Sequence, residues 1–187
     1  MGTREEEIRA YTVGELKPLT APIVICDYDP SWPSLFEREA ARIRAALGDR
    51  VRLLEHAGST SVAGLPAKPR IDIVLALADS SNEPAYVPDL EAAGYVLCIR
   101  EPEWFEHRVF KGPDTDVNLH VFTIGCPEID QMLLFRDWLR SHPEDRDLYA
   151  NAKRELAKRT WKYTQEYADA KTAVVREILA RARAAQK

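Results

Sequence analysis

A glycine- and serine-containing turn is followed closely by a strand with a single acidic residue in the segment 56–75. The turn, Gly58, Ser59, Thr60 and Ser61, offers small side chains, hydroxyls and backbone N–H groups, which suit a phosphate. The strand carries Asp72, whose carboxylate can hold a divalent metal beside that phosphate. Because phosphoryl chemistry needs a metal and a phosphate clamp close together, this spacing favours nucleotidyl transfer.

A later strand candidate, residues 116–124, has polar groups on one face. Asp116, Asn118 and His120 alternate with apolar residues, and Asp72 stands opposite the isoleucines and leucines of its own strand. A lone carboxylate is costly to bury without a neutralising partner. If the two strands are neighbours, Asp72 and His120 are predicted to share a cation. The alternative is a His120 bonded to backbone and an Asp72 paired with a cationic side chain, for which the candidates are Lys68, Arg70 and Arg108.

Positively charged side chains are available to hold a polyphosphate. The candidates are Lys68, Arg70, Arg108, Lys111, Arg136, Arg140 and Lys153. Lys68, Arg108 and Arg136 are predicted to neutralise charge that develops during the reaction. For most of these residues the alternative is an ordinary solvated surface charge. Arg136 stands out because it interrupts an apolar helical pattern.

Length and composition narrow the class of protein. With 187 residues, 45% apolar and 30% charged, the chain is expected to form one globular domain. A net charge of −4 argues against broad nucleic-acid binding, and the sequence has no apolar run typical of a signal peptide or membrane span. Three widely spaced cysteines predict a reduced, cytoplasmic protein. Sequence patterns for a P-loop, a dinucleotide-binding loop, a zinc protease or a serine hydrolase are absent.

The predicted elements describe an α+β protein. Strands are expected at 23–26, 51–57, 70–78, 95–100, 105–111 and 116–124. Helices are expected at 32–47, 86–93, 128–141 and 144–184, with a break near 160–164. Residues 1–20 are predicted to be an extended arm, followed by one domain over 21–187 whose part 125–187 is helical. The result is a mixed sheet with flanking helices and a C-terminal helical segment.

Several motifs, spread over about residues 8–182, closely resemble the GrpB family. The matching stretches are Asp27–Pro33, Glu55–Val62, Gly64–Pro69, Ile71–Ile73, Gly94–Tyr95, Trp104–Lys111, Asn118–Val121 and Leu134–Arg140, with Tyr149 and Lys153. The resemblance implies a nucleotidyltransferase-like fold with the Gly-Ser turn at the edge of a small mixed sheet. It also implies transfer of a nucleoside monophosphate from a nucleoside triphosphate to an unidentified small-molecule or protein acceptor.

One departure from the pattern of that superfamily changes the expected metal site. The superfamily pairs two acids as Asp-x-Asp and adds a third on a later strand, so that two magnesium ions are held. Here Asp72 matches the first acid, Val74 occupies the place of the second, and His120 stands near the third. One carboxylate with one imidazole suits a single metal, Mg²⁺ or Mn²⁺, with Zn²⁺ also possible.

Two other functions are compatible with these residues. One is a catalytically degenerate module that binds a nucleotide or a CoA-like ligand, or that assists a partner protein in a chaperone-like role. In some actinobacterial relatives a similar domain is fused to a dephospho-CoA kinase. The other is different metal-dependent chemistry in the same cleft, such as phosphoester hydrolysis. The general base is open among Glu55, His56 and Asp116.

Overall fold

A five-stranded mixed sheet forms the centre of the computed structural model, which describes residues 3–186. Met1 and Gly2 of the predicted arm, and Lys187 of the predicted helical part, lie outside the described residues. The strands are β1 Leu53–Ala57, β2 Ile71–Leu77, β3 Val96–Glu101, β4 His107–Lys111 and β5 Val117–Thr123. Their order is β1-β2-β5-β4-β3, with β2 parallel to β5 and the other neighbours antiparallel. The predicted α+β class with a mixed sheet is confirmed.

Seven α-helices surround the sheet in the part of the chain that the structure describes. They are α1 Arg4–Tyr11, α2 Trp32–Leu47, α3 Val87–Ala92, α4 Pro127–Ser141, α5 Pro143–Ala157, α6 Thr164–Ala170 and α7 Thr172–Ala185. None of the helices described is long and apolar enough to cross a membrane.

One face of the sheet forms the main core with α2 and α3. Ile43 and Leu47 of α2 pack there with Ile73 and Leu75 of β2, and all four side chains are buried. The residues of α2 recur at three- and four-residue steps, so that one side of the helix is apolar. Gly48 ends α2 with a positive φ of 54°, a conformation that glycine adopts without steric penalty.

The opposite face is divided between an apolar part and a polar part. Helix α4 covers the apolar part, where Val74, Ala76 and Phe122 are buried with Ile129. The polar part begins at Asp72, one side-chain step along β2 on the same face. The alternation predicted for β2 and β5 is therefore confirmed, because alternate residues of each strand pack in different clusters on the two faces.

Two predicted segments differ from the structure. The arm predicted to be extended contains α1, because Thr3 and Glu6 form a reciprocal capping box that stabilises the first turn. The strand predicted at 23–26 is reduced to an isolated bridge between Cys26 and Ala67. The predicted break in the C-terminal helical stretch is confirmed, and a further break occurs at Lys171, between α6 and α7.

Candidate functional site

Asp72 and His120 lie on adjacent parallel strands and approach each other closely. Asp72 is opposite Asn118 and Val74 is opposite His120 in the register of β2 and β5. Nε2 of His120 lies 3.4 Å from Oδ1 of Asp72, and Nδ2 of Asn118 donates to the same oxygen at 3.2 Å. Burial acts to raise the pKa of Asp72, but the His120 hydrogen bond and nearby cations outweigh burial, and the net shift is downward. Asp72 therefore stays ionised at neutral pH.

A hydrogen-bonded chain continues from His120 into the sheet. Nδ1 of His120 lies 3.1 Å from Nε2 of His107, and Nδ1 of His107 lies 2.7 Å from Oε2 of Glu101. The two imidazole rings are stacked with centroids 5.3 Å apart. Sequence reasoning missed Glu101, and it left the direction of His107 open because Glu106 precedes it.

The burial of His107 keeps its ring neutral, and its hydrogen bonds then indicate which nitrogens of His107 and His120 carry protons. His107 is 5% exposed, and desolvation lowers its pKa to about 4, so the ring is neutral at pH 7. Its Nδ1–H then donates to the Glu101 carboxylate, and its Nε2 accepts from Nδ1–H of His120. The other ring nitrogen of His120, Nε2, faces Asp72, where it can donate to the carboxylate when it carries a proton and can bind a metal ion when it does not. Such an outer partner fixes the tautomer of a metal-binding histidine in many proteins.

The Gly-Ser turn packs directly against Asp72. Gly58 has φ 66° and ψ −173°, a region of backbone conformation that essentially only glycine occupies. A Cβ added at Gly58 would overlap Oδ2 of Asp72 and lie 2.9 Å from its Cβ. Glycine is therefore required both by the backbone conformation and by the carboxylate beside it.

The three hydroxyls of the turn have different partners. Oγ of Ser59 accepts a 2.9 Å hydrogen bond from Nζ of Lys153 on α5. Thr60 donates to the carbonyl of Arg70 and contacts His56, and Ser61 donates to the carbonyl of Gly58. Thr60 and Ser61 thus stabilise the turn itself, and Ser59 is the hydroxyl joined to a cation.

Lys153 lies behind this turn rather than on the surface. It is 2% exposed and also donates to the carbonyl of Pro66 at 2.6 Å. Burial first, and then the charge of Lys171, lower the pKa of Lys153 to about 7. Tyr149 lies beneath it, with Nζ 4.6 Å from the ring centroid. Because the pKa of Lys153 is lowered, an anion that binds beside it would stabilise its charged form.

More cations gather around Asp72. Burial, followed by repulsion from Arg70, lowers the pKa of Lys68 to about 8, and the same causes lower the pKa of Lys111. Nζ of Lys111 donates to Oδ1 of Asn118 at 2.5 Å, and Nε of Arg70 donates to Asp116 at 2.8 Å. The positive charges are concentrated enough to repel one another, which favours binding of an anion.

A cavity of about 460 Å³ opens beside His120. Its walls are the segment 12–17, strands β3 to β5 and the beginning of α6. His107, His120 and Asn118 line it, together with Arg70 and Lys111. The volume is within the range of small-molecule binding sites.

With this geometry established, comparison with known proteins identifies the family. The sequence profile described as "GrpB protein" matches residues 22–181. The chain belongs to the GrpB family. It is 61% identical to a UPF0157 protein of Halalkalibacterium halodurans over 180 residues, which covers 96% of this chain and 92% of that protein. The crystal structure of GrpB from Enterococcus faecalis matches with a TM-score of 0.75 and 29% identity, over 85% of this chain and 96% of that one.

A more distant relative of this GrpB chain carries an enzyme name. A protein named dephospho-CoA kinase in Mycolicibacterium paratuberculosis is 29% identical over 165 residues. The match covers 74% of this chain but only 40% of that protein. The similarity therefore concerns one part of a longer polypeptide.

The guanidinium groups of two predicted cations, Arg108 and Arg136, are held by carboxylates other than Asp72. Arg108 lies on the other face of β4, 5% exposed, and its guanidinium is held by Glu83 and Glu106. Arg136 of α4 donates to Glu55 at 2.8 Å and to the carbonyl of His56. The prediction for Arg108 is wrong, because its side chain holds the opposite face of the sheet together. Arg136 ties α4 to β1, and its role in binding phosphate stays a prediction.

The three candidate bases also have partners elsewhere. His56 faces the α2 side of the sheet, where it stacks on Phe36 with centroids 4.9 Å apart. Glu55 shares the face of Asp72 but is paired with Arg136, and Asp116 is paired with Arg70. None of the three contacts Asp72 through a hydrogen bond within residues 3–186.

Asp72 supplies one carboxylate to this site, and Val74, the next residue on the same face of β2, is fully buried beneath α4. Among the residues that the structure describes, no group of three or more His, Cys, Asp or Glu side chains is placed to hold a metal. Asp72 and His120 can therefore supply two ligands of one ion, and any further ligands must come from water or substrate.

Proposed function

We propose that this site transfers a nucleotidyl group from a nucleoside triphosphate to an acceptor, with one divalent metal held by Asp72 and His120. The proposal depends on the 3.4 Å approach of Oδ1 of Asp72 and Nε2 of His120. These two atoms are close enough that both could act as ligands of one ion. A carboxylate with an imidazole accepts Mn²⁺ or Zn²⁺ as well as Mg²⁺.

Two protein ligands leave room on a metal ion for water and for phosphate oxygens. Mg²⁺ and Mn²⁺ in such sites use one or two protein ligands and complete their shell with water and phosphate oxygens. When bound, the metal would neutralise charge on the phosphate oxygens. Glu101 and His107 would keep His120 in the tautomer whose Nε2 can serve as a ligand.

The chain's own cations are suited to the polyphosphate of the donor. Ser59 and Lys153 would hold it beside Asp72, and Lys68 would offset its charge from the strand side. Binding a polyanion would offset the burial, and after it the repulsion from neighbouring cations, that lower the pKa of both lysines. An acceptor hydroxyl would then attack the α-phosphorus, pyrophosphate would leave with the electron pair of the broken P–O bond, and the hydroxyl proton would pass to water.

A thermal-shift experiment with labelled transfer tests this proposal. ATP with Mn²⁺ is expected to raise the melting temperature of the wild type, and Asp72→Asn is expected to abolish the metal-dependent part. Asp27→Asn, at a side chain that is 96% exposed, is the matched control and should behave as wild type. Transfer of label from the α-phosphate of ATP into an acceptor pool should follow the same pattern. Stabilisation by ATP that ignores metal and survives Asp72→Asn would contradict the proposal.

A non-catalytic binding module is the second candidate function. It is favoured by the buried Val74 and by the occurrence of a similar segment within longer proteins named dephospho-CoA kinase. Such a module would bind a nucleotide or a CoA-like ligand without metal. The same experiment separates the two candidates, because only the enzyme requires both Asp72 and the metal.

A further inference from the structure

The cavity beside His120 is separate from the Gly-Ser turn. No residue of that turn lines the cavity, and neither does Lys153. Asp72 lies between them, since Gly58 packs on one oxygen of its carboxylate and His120 and Asn118 approach the other. Two ligands can therefore reach the Asp72–His120 pair from different sides.

The cavity contains cationic groups with donors to spare. Arg70 uses Nε for Asp116, and its two terminal nitrogens have no acceptor within residues 3–186. Lys111 gives one hydrogen bond to Asn118 and lies 4.0 Å from Asp116, so its remaining N–H groups are available. Lys17, which is exposed, adds a third positive charge from the N-terminal segment.

We propose that this cavity binds the acceptor, and that the acceptor is a small phosphomonoester with a free hydroxyl. The inference rests on the proposed function, because it assigns the second substrate of the same site. The phosphate would lie between Arg70 and Lys111, and the hydroxyl would point toward the Asp72–His120 pair.

Charge and lining together select this class of molecule. A phosphate dianion matches two cationic groups that present several N–H donors, and such charge-assisted hydrogen bonds are the strong ones. Polar groups of Thr12, Thr164 and Gln165 line the cavity and can bind the hydroxyls of a polyol. A volume of about 460 Å³ accommodates a sugar phosphate.

The test compares phosphomonoesters with neutral parent molecules. Glycerol 3-phosphate, ribose 5-phosphate and phosphoserine, together with glycerol, ribose and serine, would be titrated into the full chain and followed by calorimetry and NMR. At least one phosphomonoester is expected to bind at least 10-fold more tightly than its neutral parent, and to shift the side-chain amide signal of Asn118. Inorganic phosphate, lacking the hydroxyl, is expected to bind more weakly than that ester.

Two methionine variants keep the hydrocarbon stem and remove one charge each. Lys111→Met is expected to weaken binding of the phosphomonoester at least 10-fold and to weaken ATP–Mn²⁺ binding by a smaller factor. Lys153→Met is expected to weaken ATP–Mn²⁺ binding at least 10-fold and to weaken binding of the phosphomonoester by a smaller factor. If no ester binds better than its parent, or if Lys111→Met weakens ATP more than the ester, the inference is wrong.

Failure of the inference is distinguishable from failure of the proposed function. If the wild-type chain does not bind ATP–Mn²⁺ but binds the ester in a way that depends on Lys111, nucleotidyl transfer is contradicted. The cavity would then remain an anion-binding site. Normal ATP–Mn²⁺ binding without any ester binding would contradict only the inference.

Discussion

Replacing Gly58 by alanine tests the close approach between the turn and Asp72. Alanine would have to adopt φ 66° and ψ −173°, a strained backbone conformation that costs of order 1–3 kcal/mol. Its Cβ would also overlap the Asp72 carboxylate, and such overpacking costs about 1–3 kcal/mol. The free energy of unfolding is therefore expected to fall by roughly 2–6 kcal/mol.

Gly64→Ala is the matched control. Gly64 also has a positive φ, 77°, but no atom lies within 4 Å of the position that a Cβ would occupy. Only backbone strain of about 1–2 kcal/mol is expected there. In a chain of this size each kcal/mol shifts the melting temperature by roughly 2–4 °C, so calorimetry resolves the two variants.

A double-mutant cycle isolates the contribution of the carboxylate. Asp72→Ala in the Gly58→Ala background removes the overlapping oxygen but keeps the Cβ of residue 72 at 2.9 Å, and we expect it to recover part of the overpacking cost of about 1–3 kcal/mol relative to additive behaviour. Urea unfolding of the two single variants and the double variant measures this coupling. If Gly58→Ala costs no more than Gly64→Ala, or if the cycle is additive, the turn does not press on Asp72 and the reasoning is refuted.

Two further predictions concern ionised side chains. Glu83 is 22% exposed and bridges Arg100 and Arg108, and their hydrogen bonds lower its pKa to about 2. Its contribution is present above the unfolded value of 4.5 and disappears as pH falls toward 2, so Glu83→Gln should cost about 3 kcal/mol in urea unfolding at pH 7 and clearly less at pH 3. An equal cost at both pH values would contradict the assigned ion pairs. The pKa of Lys153 is lowered to about 7, so the unfolded chain binds more protons above that pH and wild-type stability should rise between pH 7 and 10 relative to Lys153→Met. Parallel stability curves for the two proteins would show that Lys153 is not desolvated.

Along a β-strand, side chains point alternately to the two faces of the sheet, and this alternation was enough to place Asp72 and His120 on one face. The structure brings Asp72 and His120 together because hydrophobic alternation assigns each residue to a face, and parallel pairing of β2 and β5 brings the two faces into line. That the two residues share a cation stays a prediction. The same alternation places Arg108 and Lys111 on opposite faces of β4. Sequence alone did not indicate which of those faces is the site, so both residues were predicted there.

The contacts that sequence reasoning missed join distant segments of the chain. Glu101 reaches His107 because the chain reverses between β3 and β4 through Phe105 and Glu106, which have positive φ values of 56° and 51°. Neither residue type predicts that conformation. The donation from Lys153 to Ser59 spans 94 positions and depends on how α5 packs, which no local pattern encodes.

The packing around Val74 also limits how this sequence can diverge. An aspartate introduced there in one step would leave a charge among Ala57, Ala76 and Phe122, beneath α4. The penalty of several kcal/mol is a large part of the 5–15 kcal/mol that typically keeps a domain folded. Substitutions that open the helix–sheet contact must therefore come first, and only then does a carboxylate on the strand become tolerable. Ancestral reconstruction within this lineage should thus find changes in the helix older than any regained acid.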